Sequence, residues 1–412
     1  MRKPSILLCS ILILVSNVLH GQVLPIGHDT LLYNHQLVFS GGYDYAANSV
    51  QNAISSKFLR GGEITEEMKD ASLVKHRAVN RIGGIVTGEL NYSAYDVKLF
   101  KDWGLKIKAG YDLFGGLIYS KDFFGLAFYG NQPYLGDTVS MSGMNATYTS
   151  FQKLGFGITS PKSKASVTLN FYNIDNHFDA HFRTFEFIQD ESGDSFSIEM
   201  DGEIEMPKNS RMNQGFGVGV DVDFRLPIAW GSENTAFIQF QAKNIGIGFS
   251  SQPYTRYYTD TSITFDGFTL DELIGNNSFL GDTSITVNSV LDSIGIFSNN
   301  FRPTYLLPGF IQIAKIVDEH YTGKFQPFFG VRLYPTLIYS PMVFGGLDYK
   351  PIEKLRVGAN LSFGGFTGLR GGLYANANFG IWKIGLSTET IRGWISQKAP
   401  GQSLFLRVGC AL

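Results

Sequence analysis

Period-two alternation of apolar and polar residues recurs along most of this chain and constrains its fold more than any other feature. In "LRVGANLSFG", the apolar side chains between Leu355 and Phe363 share one face, and Arg356 and Asn360 lie on the other. The segments "LKIKAGYDL", "FGVGVDVDFR" and "LYANANF" repeat the pattern. Alternation of this period indicates β-strands with one apolar and one polar face. The sequence therefore predicts an all-β fold with many strands.

Two all-β architectures share this alternation, a soluble sandwich and a membrane barrel. Only 17% of the residues are charged, whereas soluble domains average roughly 25%, and glycine occupies many polar faces where a soluble strand would carry charge. Aromatic residues also cluster at predicted strand ends, as the girdle of a membrane barrel requires. These clusters are Tyr92/Tyr95, Phe123/Phe124/Phe128/Tyr129 and Phe328/Phe329/Tyr334/Tyr339. The barrel is favoured.

Strand length and loop length give the size of this barrel. A strand that spans a membrane needs about 9–11 residues, and segments of that length suggest about 14 strands, within 12–16. An even number is expected, because bacterial single-chain barrels close with even numbers. Tight turns such as "DYKPIEK" alternate with longer connections, above all a polar insertion at 250–308. The prediction is an antiparallel transmembrane β-barrel of about 14 strands.

The N-terminus indicates export from the cytoplasm. Arg2 and Lys3 precede an apolar run of signal-peptide length that ends before Gly21-Gln22. We therefore predict a cleaved signal peptide at 1–21, a barrel domain at 22–412 and a location in the outer membrane. The formal net charge of −2 argues against a nucleic-acid partner, since no basic excess is available to neutralise phosphates.

Residues 47–78 break the alternation. "NSVQNAISSKFL" spaces Val50, Ile54 and Phe58 at helical intervals and stops at Gly61-Gly62. A second helix follows Thr65, which predicts a short helical insertion between the first two strands. Two interpretations remain open, a hatch inside the lumen and a helical loop outside it.

Three segments resemble outer-membrane β-barrel proteins of Bacteroidetes, most of which have no established substrate and whose shape is similar to the long-chain fatty-acid transporter family. These segments are "FLRGGEITEEMKD…NRIGG" (58–84), "QAKNIGIGFS" with "FDGFTLDEL" (241–273) and the ending "GLSTETIRGWISQKAPGQSLFLRVGCAL". The resemblance implies a monomeric barrel of about 14 strands with a possible N-terminal hatch. The chain departs from the usual pattern because it ends in Leu412 rather than Phe or Trp.

Polar residues on the alternating strands are predicted to line the lumen. The candidates are Lys106, Lys108, Asp112, Asp221, Asp223, Arg225, Gln239, Gln241, Lys243, Arg332, Arg356, Asn360, Asn376 and Asn378. Charges of both signs occur among them, which does not favour selectivity for one sign of ion. It favours a network of salt bridges and hydrogen bonds that closes the lumen.

The stretch "NHFDAHFR" is the best candidate for chemistry. In a strand, His177, Asp179, His181 and Arg183 share one face, and a carboxylate beside imidazoles could hold a metal or orient a base. Zinc sites need three or four protein ligands, however, and no further His or Cys lies nearby in the sequence. The two-residue spacing is what any strand imposes on its polar side, so we predict an ordinary polar ladder here.

Three functions remain open at this stage. The first is passive passage of a small molecule, hydrophobic molecules included, through a barrel with a hatch. The second is a structural or secretion-associated barrel that presents its loops to protein partners of unknown kind. The third is an enzyme that uses the His177–His181 stretch. We predict the first, with lipid of the outer membrane as a partner and with neither catalytic residues, a metal nor a cofactor.

Overall fold

The computed structural model describes residues 34–161, 165–209, 212–230, 234–265, 295–317 and 323–412. Fourteen antiparallel strands in these residues form a closed ring. They are β1 (His35–Ala47), β2 (Asn80–Ala94), β3 (Gly104–Tyr119), β5 (Asn145–Thr159), β6 (Ser166–Gln189), β8 (Gly215–Trp230), β9 (Asn234–Ser250), β13 (Phe310–Ile316), β14 (Phe325–Leu333), β15 (Ser340–Ile352), β16 (Leu355–Gly365), β17 (Thr367–Phe379), β18 (Trp382–Thr388) and β19 (Gly401–Ala411). Closure comes from β1, which pairs with both β2 and β19. The predicted fourteen-stranded barrel is confirmed.

Five further strands extend the sheet beyond the ring, and short helices lie in its connections. The strands are β4 (Thr138–Ser140), β7 (Phe196–Pro207), β10 (Tyr254–Phe265), β11 (Ile296–Phe301) and β12 (Thr304–Leu306). The helices are α1 (Asn52–Arg60), α2 (Glu66–Leu73), α3 (Lys121–Tyr129), a 3₁₀ turn (Gln132–Tyr134) and α4 (Arg392–Ile395). The predicted helical insertion between the first two strands is confirmed by α1 and α2.

The two ends of the barrel differ. The short-turn end carries both ends of the ring, His35 and Ala411, and tight connections such as 353–354 and 380–381. The loop end carries longer connections, among them 48–79, 120–144 and 389–400. The described residues of the 250–308 insertion are also at the loop end and include β10, β11 and β12, where the sequence predicts a long loop. Its residues 266–294 and the predicted signal peptide at 1–21 lie outside the described residues.

The faces of the strands follow the alternation. On the outside, Leu361 is 62% exposed and Leu369 is 72% exposed, whereas Asn360 and Ser362 point inward and are buried. An exposed apolar band around a barrel is the surface that a bilayer covers. No helix in the described part of the chain is long and apolar enough to cross a membrane.

The helical insertion packs against the outer wall of the barrel. Ile54 of α1 is fully buried in a cluster with Tyr119 and Phe124, and burial of such a side chain contributes about 1.5–3 kcal/mol. The Tyr45 hydroxyl forms a hydrogen bond with Ser55. Tyr45 and Tyr119 occupy positions on the outer faces of β1 and β3. Residues 47–78 therefore have the contacts of a loop outside the lumen and not those of a hatch.

His76 anchors the end of this insertion. Its Nδ1 lies 2.8 Å from the Ser72 carbonyl oxygen and its Nε2 lies 3.0 Å from the Tyr119 hydroxyl. A neutral ring satisfies both contacts if Nδ1 donates and Nε2 accepts. Burial lowers the pKa of His76, and the nearby Lys121 charge lowers it further, although the Ser72 carbonyl opposes the shift. Burial and the Lys121 charge therefore both favour the neutral ring that the two hydrogen bonds need.

Two of the predicted aromatic girdle clusters are placed differently. Phe124 and its neighbours belong to α3, which begins at Ser120 because the Ser120 hydroxyl caps the helix by accepting a hydrogen bond from the Phe123 amide. Tyr334 and Tyr339 are buried inside the barrel. The sequence pattern marks these positions as strand ends, but it does not show on which side of the wall they lie.

Candidate functional site

A cavity of about 230 Å³ occupies the lumen between the short-turn end and the middle of the barrel. The inward positions of β1, β2, β3, β8, β9 and β13 form much of its wall. Charged side chains line it along β2, β3 and β8, where Glu89, Lys108 and Asp221 lie, and apolar side chains such as Phe310 and Phe344 line it along β13–β15. Side chains toward the short-turn end, including Lys106, are partly exposed. The cavity is thus a chamber with two chemically different walls.

Buried ion pairs fill the polar wall. The Lys108 ammonium lies 2.6 Å from Asp221, and the Lys153 ammonium lies 2.8 Å from both Glu89 and Asp112. All five side chains are nearly inaccessible to solvent. Burying a charge costs several kcal/mol unless a partner and hydrogen bonds compensate it. Lys153 thus contacts two carboxylates, and Lys108 contacts Asp221 and lies 3.8 Å from a second carboxylate, that of Glu89.

Asn244 completes this network through a break in β9. Its backbone is left-handed, with a φ of 54°, a region that Asn tolerates better than most residues. The backbone N–H of Asn244 donates to Asp221 at 2.7 Å, and the side-chain nitrogen of Asn244 donates to Asp112 at 3.2 Å. Its side-chain oxygen accepts from Lys153 at 3.2 Å. The register of β8 and β9 shifts between Val220 and Val222 at the same level. The bulge therefore places Asn244 within hydrogen-bonding distance of Asp221, Asp112 and Lys153.

Cationic side chains outnumber carboxylates on the inner face around the cavity. Among the described lining residues, the inward cations are Lys106, Lys108, Lys153, Arg225, Lys243 and Arg407, and the carboxylates are Glu89, Asp112, Asp221 and Asp223. Asp223 accepts hydrogen bonds from Gln239 and Gln241. Since the carboxylates are already engaged by lysines or amides, the excess positive charge favours a negative or electron-rich group in the chamber.

A packed aromatic plug closes the lumen on the loop-end side of the cavity. The plug consists of the β14–β15 connection (residues 334–339) together with Phe366 of the β16–β17 turn. Tyr334 stacks on Phe114 of β3 with ring centroids 5.5 Å apart, and Tyr339 meets Phe366 edge-on at 5.0 Å. Ile338 is fully buried. Aromatic pairs of this kind each contribute about 0.5–1.5 kcal/mol beyond burial.

Two glycines on the opposite wall make room for the plug. A Cβ added at Gly83 would lie 2.2 Å from the Phe366 ring, and one added at Gly116 would lie 2.4 Å from Ile338. Gly83 and Gly116 are paired neighbours on β2 and β3. The plug therefore crosses the lumen from β14–β17 and touches the backbone of the far wall.

A buried ion pair supports the plug from behind. Arg370 of β17 donates two hydrogen bonds of 2.8 Å to the carboxylate of Asp44 on β1. Its other nitrogens reach Ser362 and the Met342 sulfur. The Tyr339 hydroxyl donates to the same sulfur at 3.3 Å. The plug is thus tied to side chains of the barrel wall.

Nine of the fourteen predicted lumen residues lie around the cavity. They are Lys106, Lys108, Asp112, Asp221, Asp223, Arg225, Gln239, Gln241 and Lys243. The remaining five, Arg332, Arg356, Asn360, Asn376 and Asn378, occupy inner-face positions of β14, β16 and β17 and are not among its lining residues. Arg332 nevertheless lies directly behind the lining, since it donates hydrogen bonds to Gln312. The same alternation in β2, β5 and β19 would have found Glu89, Lys153 and Arg407, which the sequence prediction missed.

The histidine stretch forms a packed polar ladder on β6. His177 is buried, stacks on Tyr305 with a centroid distance of 3.6 Å, and contacts the Thr149 hydroxyl at 2.9 Å. Asn145 contacts His181 at 3.2 Å. Arg183 falls at a β-bulge and pairs with Asp201 of β7. No cluster of three or more His, Cys, Asp or Glu side chains suited to a metal occurs in the described residues.

Substitution of these histidines separates packing from chemistry. We expect His177→Ala to lower the free energy of unfolding by about 1–3 kcal/mol, because it removes a buried ring and its stack on Tyr305. His181→Ala should cost less, since His181 is only half-buried. Zinc titration and ester-hydrolysis assays are expected to give identical results for the wild type and the double variant. A saturable signal that both substitutions abolish would establish a chemical role.

No model of a known protein family matches the chain. A comparison with curated proteins also finds no match. Among solved structures, the chain resembles the P. putida toluene transporter TodX at 10% identity over 93% of this chain and 91% of that one, with a TM-score of 0.39. The translocator domain of the autotransporter NalP from Neisseria meningitidis matches at 9% identity over 93% and 90%, with a TM-score of 0.30. The monoaromatic hydrocarbon channel CymD matches at 7% identity over 93% and 89%, with a TM-score of 0.24.

Proposed function

We propose that this protein is an outer-membrane channel that passes a small amphipathic molecule through a lumen kept shut by the aromatic plug. The chamber with two different walls carries the proposal. A purely structural barrel has no need for a cavity of about 230 Å³ between a charged wall and an apolar wall. Such a space fits a molecule with one polar end and one apolar part.

The size and charge of the chamber restrict the molecule. A volume of about 230 Å³ is below the range of roughly 300–1,000 Å³ that is common for ligand pockets, which favours a small solute. Inward cations outnumber carboxylates, which favours a negative or electron-rich polar end. Phe310, Phe328 and Phe344 would meet its apolar part.

The plug makes the passage conditional. Its residues are held by packing and by the Tyr339 contact with Met342, whereas the strands on either side of it continue their pairing around the ring. Movement of residues 334–339 therefore need not break the barrel. Passage is passive in this proposal, because a solute that displaces the plug needs only its own concentration gradient.

Removal of the plug tests the proposal. Replacing residues 334–339 by two glycines, which suffice to join neighbouring antiparallel strands, is expected to convert a protein with little single-channel conductance into one with stable conducting steps. Leu337→Ala is the matched control, because Leu337 lies in the same connection but is 73% exposed. It should behave like the wild type.

The outcomes separate this function from the second one. A plug-deleted barrel that folds, as judged by heat-dependent mobility in gels, and yet conducts no ions would overturn the channel. Presentation of loops to partners would then be the better explanation. The extension of the sheet through β7, β10 and β11 beyond the ring supplies a surface for it.

A further inference from the structure

The outer side of the loop end carries a cluster of positive charge next to the lipid-covered wall. This outer basic patch consists of Lys75, which follows α2, Arg392 of α4, and Lys398 in the β18–β19 connection. All three side chains are exposed. The Lys75 ammonium donates a hydrogen bond of 3.1 Å to the Lys398 carbonyl oxygen. The helical insertion and the connection before β19 thus bring the three cations together.

The three charges repel one another. Partial burial lowers the pKa of Lys75, and the charges of Arg392 and Lys398 lower it further. No carboxylate lies within 4 Å of these three side chains among the described residues, although ion pairs occur at many other sites of the barrel. Like charges gathered without a counter-charge are unfavourable until an anion binds.

Apolar side chains place this patch at membrane level. Trp394 of α4 is 49% exposed and Ile395 is 80% exposed. The Trp394 ring faces Tyr43 on the outer face of β1 at 6.5 Å, and its Nε1 donates to the Ser403 carbonyl at 2.9 Å. Val74, next to Lys75, is 86% exposed. Tryptophan in such a position marks the boundary between hydrocarbon and headgroups.

We infer that the outer basic patch binds the phosphate-bearing headgroup of a membrane lipid, with the acyl chains of that lipid against Trp394 and Ile395. Charge and position select this occupant. A phosphate headgroup supplies the missing negative charge at the depth where the patch lies, and exposed Ile395 and Val74 suit acyl chains better than water. Basic residues beside a membrane-spanning segment bind anionic headgroups in this way.

This inference depends on the membrane location and not on transport, so its test needs no channel activity. The triple variant Lys75→Gln/Arg392→Gln/Lys398→Gln is compared with the wild type for binding of a fluorescent phosphatidic acid to the detergent-solubilised protein. We expect binding at least about tenfold weaker in the variant, since each cation near a headgroup contributes to affinity. Phosphatidylcholine, whose headgroup has no net charge, should bind equally weakly to both proteins.

The control variant removes three exposed cations at the opposite end of the barrel, Lys98→Gln/Lys101→Gln/Lys354→Gln. It should retain binding within about twofold of the wild type. Equal losses in the two triple variants would show non-specific attraction and overturn the site. Unchanged binding in the patch variant would overturn it as well and leave the surface to another occupant, such as a protein.

A competition experiment and a second variant complete the test. Inorganic phosphate at millimolar concentration should leave the lipid bound, whereas full displacement would identify a free-anion site instead. If the triple variant fails to fold, Arg392→Gln/Lys398→Gln replaces it. Neither side chain makes a hydrogen bond within the described structure, so the barrel should tolerate this change. A double variant that folds and binds like the wild type would overturn the inference.

Discussion

Lys153→Met is expected to lower the free energy of unfolding of the barrel by about 3–5 kcal/mol, because it removes one partner from a buried ion-pair network. The Lys153 ammonium lies 2.8 Å from Glu89 and 2.8 Å from Asp112. Methionine fills much of the same volume, so the loss is mainly electrostatic. Glu89 keeps more distant lysines, whereas Asp112 keeps one hydrogen bond within the described structure, from the Asn244 side-chain nitrogen at 3.2 Å.

The measurement is urea unfolding in detergent, followed by tryptophan fluorescence and by the mobility of unheated samples in gels. Lys243→Met is the matched control. Its ammonium is 3.5 Å from Glu89, but its side chain is 30% exposed, so water can replace it. We expect a loss below about 1 kcal/mol for this variant.

A double variant identifies the cause of the loss. Lys153→Met/Asp112→Asn should regain part of the stability lost in Lys153→Met, because it removes the carboxylate left without its lysine. A single variant no less stable than Lys243→Met would contradict the importance of the network. So would a double variant whose losses simply add.

The sequence predicts the wall of the barrel well, because burial on one face of a strand requires alternation at every position. Lys106 and Lys108 line the cavity for that reason, and so does Asp112. Lys153 follows the same rule on β5. The prediction of fourteen strands succeeds because a spanning strand has a nearly fixed length.

The alternation fails where the ladder is irregular. Asn244 adopts a left-handed conformation at a register shift, and Arg183 is displaced at another. A bulge inserts one residue and changes which side chains point inward. Period-two patterns carry no sign of such an insertion. The residue that links three charges of the polar wall could therefore not be predicted.

The positions of the plug and of the helical insertion do not follow from the sequence for a different reason. "YPTLIY" (334–339) is apolar and aromatic, which suits a lipid-facing girdle and a buried plug equally well. Residues 47–78 are amphipathic, which suits a hatch and a loop on the outer wall equally well. In each case the partner surface decides, and it belongs to strands distant in sequence, such as β2 and β3.

Gly83→Leu is expected to open the lumen by displacing the plug. A Cβ at this position would lie 2.2 Å from the Phe366 ring, so the leucine side chain and Phe366 cannot occupy the same space. Overpacking of this kind costs about 1–3 kcal/mol in the closed state, which shifts an equilibrium between closed and open states by about 5- to 150-fold. Single-channel recording should show a matching rise in open probability.

The neighbouring glycine provides the control. Gly84 faces outward, and the nearest atom to an added Cβ is the Asp44 carbonyl oxygen at 3.7 Å. Gly84→Leu places the same side chain on the lipid side of the same strand and should leave the channel closed. Gly83→Leu/Phe366→Ala should close again in part, because leucine then occupies space that the ring has left. Equal conductance of Gly83→Leu and Gly84→Leu would show that the plug does not hold the lumen shut, since only the inward side chain reaches Phe366.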